Sequence, residues 1–132
     1  MRICLDTSAY SHFKRGDPDA VQALAGARII GVPTVVLGEL RTGFRLGRDP
    51  DGNERELREF LSHPVVRILD VDDEASQHYA DIVVELRRMG SPLPTNDIWI
   101  AAVAVREGAV VLTYDQHFQN LPRVGSRILT RA

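Results

Sequence analysis

The run Ile3-Cys4-Leu5 stops abruptly at Asp6, the hydroxyl residues Thr7 and Ser8 follow, and a helical pattern begins. So apolar a stretch reads as a parallel strand covered on both faces. The pattern returns at residues 28–32, 65–71 and 109–113, with a possible edge strand at 127–130, and helical periodicities fill the intervals. Strands alternating with helices predict a three-layer α/β/α fold around a central parallel sheet of four to five strands. Right-handed crossovers bring strand ends and helix starts to one edge of that sheet, where such folds bind ligands.

Punctuation residues divide the helical intervals. A first short helix at about 8–14 is closed by Gly16, and Asp17-Pro18 opens another that ends at Gly26. Thr34 is placed to cap a helix running to about Gly47, and residues 47–52 read as a polar turn. Asn53, with Glu56 three residues on, has the form of a capping box before Leu57, Phe60 and Leu61. Asp72 or Asp73 opens the longest helix, which Gly90 ends. Thr95 or Asn96 is placed to cap a last long helix, with Gly108 at its C′ position. A short helical turn at 115–121 follows. The 132 residues make one domain, 1–132, with no internal repeat.

Four acids should meet at the sheet edge. Asp6 and Asp115 follow predicted strands, and Asp97 lies in the first turn of a helix. Any one of these also fits a capping or Asx-turn role. Glu39 is different, because it lies beside Val36 and Leu40 on the packed stripe of its helix. A buried carboxylate there needs a cation, either an arginine or a metal, and the chain has a single lysine, Lys14. Arg41 and Arg45 leave the helix on another side, which favours a metal. Converging carboxylates repel unless a divalent ion lies among them, and all-oxygen ligands suit Mg²⁺ or Mn²⁺. The chemistry implied is metal-dependent phosphodiester hydrolysis. Thr7, Ser8, Asn96 and Thr113 flank the acids, either orienting ligands or capping helices.

The motifs Leu-Asp-Thr-Ser at the N-terminus, Val-Pro-Thr-Val-Val-Leu-Gly-Glu-Leu at Glu39, Thr-Asn-Asp-Ile-Trp-Ile-Ala-Ala at Asp97 and Leu-Thr-Tyr-Asp-Gln-His-Phe at Asp115 occur in this order. In this they resemble a PIN domain, and more closely the VapC toxins of bacterial toxin–antitoxin pairs. The resemblance spans nearly the whole chain. It implies an Mg²⁺- or Mn²⁺-dependent endoribonuclease with Asp6, Glu39, Asp97 and Asp115 in the acidic positions. Asp6 and Asp97 would be the firmest ligands, and Ser8 would take the hydroxyl position near the metal. It also implies a homodimer and a cognate VapB-like antitoxin whose C-terminal tail covers the site.

Other signals bound the reading. The formal charge of −2 gives no global field for RNA, so contacts must be local, with Arg41, Arg45 and Arg48 at helical spacing as candidates. One cysteine, Cys4, reads as a core residue and suits a reducing bacterial cytoplasm. The chain opens directly on its first strand without signal-peptide features, and no apolar run nears the roughly 20 residues a membrane helix needs. His12, His63, His78 and His117 show no ligand spacing, and Trp99 reads as core or dimer-interface packing. A haloacid-dehalogenase-type site would want an acid where Ser8 stands. A phospho-receiver would want a lysine after the last strand, where there is none. The alternative of another class is a PIN-like module that binds RNA or a partner without cutting.

Overall fold

The computed structural model describes residues 1–121 and 123–129. Its strands are β1 (Arg2–Leu5), β2 (Ile29–Pro33), β3 (Val66–Leu69), β4 (Val110–Thr113) and β5 (Ser126–Ile128), all parallel, in the order β3-β2-β1-β4-β5. The helices are α1 (Thr7–Lys14), α2 (Pro18–Ala25), α3 (Thr34–Leu46), α4 (Pro50–Leu61), α5 (Asp73–Met89) and α6 (Thr95–Glu107). This is the expected α/β/α arrangement. The last strand is shorter than 127–130 and begins one residue earlier, while Thr130 lies outside the described residues. No described helix is long and apolar enough to cross a membrane.

Strand order explains where the acids meet. The chain steps outward from β1 to β2 to β3 through α1–α4, then jumps back across the sheet through α5 and α6 to pair β4 with β1. Right-handed crossovers in opposite directions put the two helix sets on opposite faces. The chain therefore reverses between β1 and β4, the topological switch point at which a crevice opens beyond the strand ends. Cys4 pairs with Val111 and Leu5 with Leu112, so β1 and β4 end side by side. Asp6 and Asp115 are delivered to that crevice by strand register. The strands themselves are apolar because both faces are covered: Cys4, Leu5, Val32, Val111 and Leu112 are fully buried.

Helix starts depart from expectation at three places. Thr34 does not cap α3; it is the first helical residue, Pro33 holds the N-cap position, and no side chain caps it. Likewise Pro94, not Thr95 or Asn96, precedes α6 without a side-chain cap. In both cases proline fixes an extended entry, and the polar residues after it are free for other partners. α4 begins at Pro50, inside the expected polar turn, because Asp49 accepts from Gly52 N at 3.1 Å and proline suits the first helical position. Asn53 is thus in the helix interior, its N–H bonded to Asp49 O at 3.0 Å. Elsewhere the expected caps form: Asp72 accepts from Ala75 N at 2.9 Å, and Gly90 and Gly108 end α5 and α6 in the left-handed region.

Gly31 is required by close packing. A Cβ there would stand 2.4 Å from Leu69 Cδ1 and 3.0 Å from its Cγ. Gly31→Ala is expected to cost about 1–3 kcal/mol by overpacking. Urea unfolding of Gly31→Ala, Leu69→Ala and the double variant checks this, with the double less destabilised than the sum of the singles.

Candidate functional site

Asp6 comes first in the chain and is the most deeply held, at 5% exposed. Its Oδ1 accepts from Ala9 N at 2.8 Å, capping α1, and from Ser8 Oγ at 2.8 Å. Its Oδ2 accepts from Thr113 Oγ1. Burial pushes the Asp6 carboxyl above its ordinary range and the charge of Asp115 adds to this, while the Thr113, Ala9 and Ser8 hydrogen bonds oppose it. Thr113, fully buried at the end of β4, also accepts from Asp115 N at 2.8 Å. One hydroxyl therefore ties together the acids that follow β1 and β4. Ser8 makes a second tie, accepting from Tyr114 N at 3.0 Å. The Tyr114 ring stacks on His12 at 3.8 Å between centroids. Neither Ser8 nor Thr113 caps a helix.

Glu39 reaches the edge from the second turn of α3. It is half-buried, but the side chains that hold it are neutral: Thr7 Oγ1 donates to Oε1 at 2.6 Å and Asn96 Nδ2 donates to Oε2 at 3.4 Å. Of the two cations expected for it, no arginine is among its described partners, and hydrogen bonds from two neighbouring elements orient the carboxylate. Neither donor is a helix cap: Thr7 is the first residue of a helix that Asp6 caps, and Asn96 serves Glu39 rather than α6.

Asp97, half-buried in the first turn of α6, is where the charges concentrate. Its carboxyl is raised to about 6, chiefly by burial and then by the charges of Asp115, Glu39 and Asp6, with His117 acting in the opposite direction. All four predicted acids are therefore within electrostatic reach of one point. The tightest subset is Asp97, Asp115 and His117, whose ligand-type atoms lie within 4.8 Å of one another. Asp115 opens the 3₁₀ turn Gln116–Asn120, its Oδ1 accepting from His117 N at 2.9 Å, with His117 Nδ1 at 3.1 Å from the same oxygen. Along the chain His117 shows no ligand spacing, and the fold sets it beside Asp97 and Asp115. The available signal was local, the Asp-Gln-His run, in which an Asx-type turn folds the imidazole back onto its own acid.

The donor set fits a hard divalent cation. Two carboxylates and an imidazole lie together here, two further carboxylates lie close by, and burial followed by their charges raises the Asp97 carboxyl to about 6. Asp6 and Glu39 lie outside the tight group, and their oxygens are engaged by hydroxyl and amide donors.

The arginines are divided. Arg41 is committed to Glu54 of α4, Nε to Oε1 at 3.0 Å and an Nη to Oε2 at 3.0 Å, and Glu54 also takes Arg58 at 3.3 Å. That fork explains why the Glu54 carboxyl sits below its ordinary range, with Arg45 nearby contributing in the same direction. Arg45 and Arg48 are exposed. Trp99 stacks on Tyr79 at 3.9 Å, joining α6 to α5, as its packing role predicted.

The profile of the family described as PIN domain matches residues 3–124 of this chain. The chain belongs to the PIN-domain family. Among curated relatives of this PIN domain, Ribonuclease VapC4 of Mycobacterium tuberculosis is 35% identical over 125 residues, covering 93% of each chain. Among solved structures, VapBC2 of Rickettsia felis bound to a promoter DNA fragment superposes with a TM-score of 0.85 at 25% identity, covering 98% of this chain and 100% of that one. A VapBC-5 toxin–antitoxin structure from Mycobacterium tuberculosis matches at 28% identity and a TM-score of 0.73, covering 97% and 98%.

Proposed function

We propose that this PIN domain is a metal-dependent endoribonuclease, the toxin of a toxin–antitoxin pair, acting on cytoplasmic RNA. The observation that carries the reading is the convergence of Asp6, Glu39, Asp97 and Asp115 on one edge, crowded enough to raise Asp97 to about 6. Relatives named VapC ribonuclease support the activity, and neighbours solved as VapBC complexes support a VapB-like antitoxin; the reading has the antitoxin's C-terminal tail cover the acids. The same reading carries a homodimer, for which the exposed apolar residues Val84 and Met89 of α5 offer a surface.

Asp97 and Asp115 would hold Mg²⁺ or Mn²⁺ from β4 and α6, with Asp6 and Glu39 completing the pocket. When bound, the ion supplies a Lewis acid that activates water and offsets charge developing on the phosphodiester. Thr7 and Asn96 orient Glu39, while Ser8 and Thr113 orient Asp6, so that the carboxylates are preorganised. Arg45 is free to meet a phosphate, whereas Arg41 must leave Glu54 to do so. Arg45→Glu is expected to lower the dependence of RNA affinity on log salt by about one phosphate contact, whereas Arg41→Glu destabilises the α3–α4 pair. Filter binding over a salt series checks the first.

The deciding experiment is incubation of total bacterial RNA with the purified protein and Mg²⁺ or Mn²⁺, beside Asp97→Asn and an EDTA control. Discrete fragments that need the metal and vanish in the variant support a nuclease. Identical RNA in wild type and variant under every metal condition overturns the catalytic reading in favour of binding without cutting.

A further inference from the structure

We propose that His117 is a nitrogen ligand of the divalent cation in this site and biases the site towards Mn²⁺ over Mg²⁺. The inference rests on the acids holding a metal, as read above, and adds a ligand of a different chemical kind.

Three observations carry it. First, an imidazole nitrogen of His117 lies with carboxylate oxygens of Asp97 and Asp115 in a group whose members are all within 4.8 Å. Second, the ring lies against its neighbouring acid although the side chain is 63% exposed: Nδ1 sits 3.1 Å from Asp115 Oδ1. Third, the turn that carries it is anchored. Its backbone N–H is bonded to Asp115, the neighbouring Phe118 is 1% exposed in the core, and Ser126 Oγ of β5 donates to Phe118 O at 3.3 Å. Backbone geometry thus delivers the imidazole to the acids before any ligand arrives.

The chemistry then selects among ions. Mg²⁺ takes oxygen ligands in near-ideal octahedra and keeps several waters, so a neutral imidazole adds little to its binding. Mn²⁺ shares the preference for carboxylate and water, but as a larger transition-metal ion it takes an imidazole beside them more readily than Mg²⁺ does. A bland role exists for the same geometry, in which protonated His117 only neutralises Asp115. In that case the ring would bind no ion, and its loss would affect both metals alike.

Electron spin-echo spectroscopy of Mn²⁺ bound to the purified protein separates these roles, because a directly bound ¹⁴N modulates the echo. The expected result is ¹⁴N modulation in wild type and none in His117→Gln. Calorimetric titrations should then show Mn²⁺ affinity falling about tenfold or more in His117→Gln, with Mg²⁺ affinity within about twofold of wild type. His117→Asp should raise Mg²⁺ affinity while also losing the nitrogen signal. Mn²⁺ binding without ¹⁴N modulation, or equal losses for both ions in His117→Gln, overturns the proposal and leaves the acidic metal site standing. No Mn²⁺ binding by the wild type overturns both.

Discussion

Asp97→Asn is expected to abolish RNA cleavage and, in the same molecule, to raise the stability of the metal-free protein. The two effects share one cause. In the folded chain the Asp97 carboxyl is held at about 6 against an ordinary 3.8, first by burial and then by Asp115, Glu39 and Asp6. A carboxyl whose pKa is raised on folding binds more protons in the native than in the unfolded state over that window. Stability therefore falls as pH rises from about 4 to about 6, and the full penalty is present above it. The asparagine has no charge to confine and escapes this penalty. After allowance for partial exposure, the gain is about 1–2 kcal/mol near pH 7.5, fading below about pH 4. Thermal or urea unfolding of the two proteins across this pH range, with EDTA present, measures it. Cleavage should fall by about two orders of magnitude or more, as expected when a metal ligand is neutralised. Such an opposition of stability and activity is what a crowded functional site produces.

Thr113→Val is expected to be the most damaging conservative substitution at the site. The side chain keeps its shape, but the hydroxyl is lost from a fully buried position. Asp6 Oδ2 loses its donor and Asp115 N loses its acceptor in one step. A hydrogen bond to a charged group contributes about 1.5–3 kcal/mol, and stranding the backbone N–H adds to that, so a loss of about 2–4 kcal/mol is expected. Urea unfolding checks the magnitude, and Thr113→Ser should recover most of it. Thr7→Val, at a half-buried position with a single bond to Glu39, should cost less.

Much of this architecture was legible in the chain because it depends on local pattern. Apolar runs ending in an acid marked β1 and β4, and the crossover rule alone placed Asp6, Asp97 and Asp115 on one edge. Glu39 was legible from its place beside Val36 and Leu40. What escaped depended on partners distant in sequence or on competition between neighbouring signals. Asn53 with Glu56 looked like a capping box, but Asp49 and Pro50 start α4 earlier, because a proline with fixed φ beats a cap that needs the chain to break later. Thr7 and Asn96 looked like capping residues, and only the juxtaposition of α1, α3 and α6 shows both holding Glu39. Arg41 looked free because its fork to Glu54 depends on how α4 folds back on α3. His117 shows no ligand spacing along the chain, and its place beside Asp97 and Asp115 comes from a turn wound on Asp115.

If Asp6, Glu39, Asp97 and Asp115 together hold one divalent centre, each should contribute to its affinity. The most direct measurement is calorimetric titration of Mg²⁺ and Mn²⁺ into the wild type and into Asp6→Asn, Glu39→Gln, Asp97→Asn and Asp115→Asn, at about pH 5 and about pH 7.5. Saturable binding by the wild type that strengthens with pH, as the Asp97 proton is displaced, is expected. All four variants should bind more weakly, by about tenfold or more in Asp97→Asn and Asp115→Asn. Equal binding by wild type and Asp97→Asn at both pH values would contradict a shared centre, because the acids would then be near one another without acting as one site.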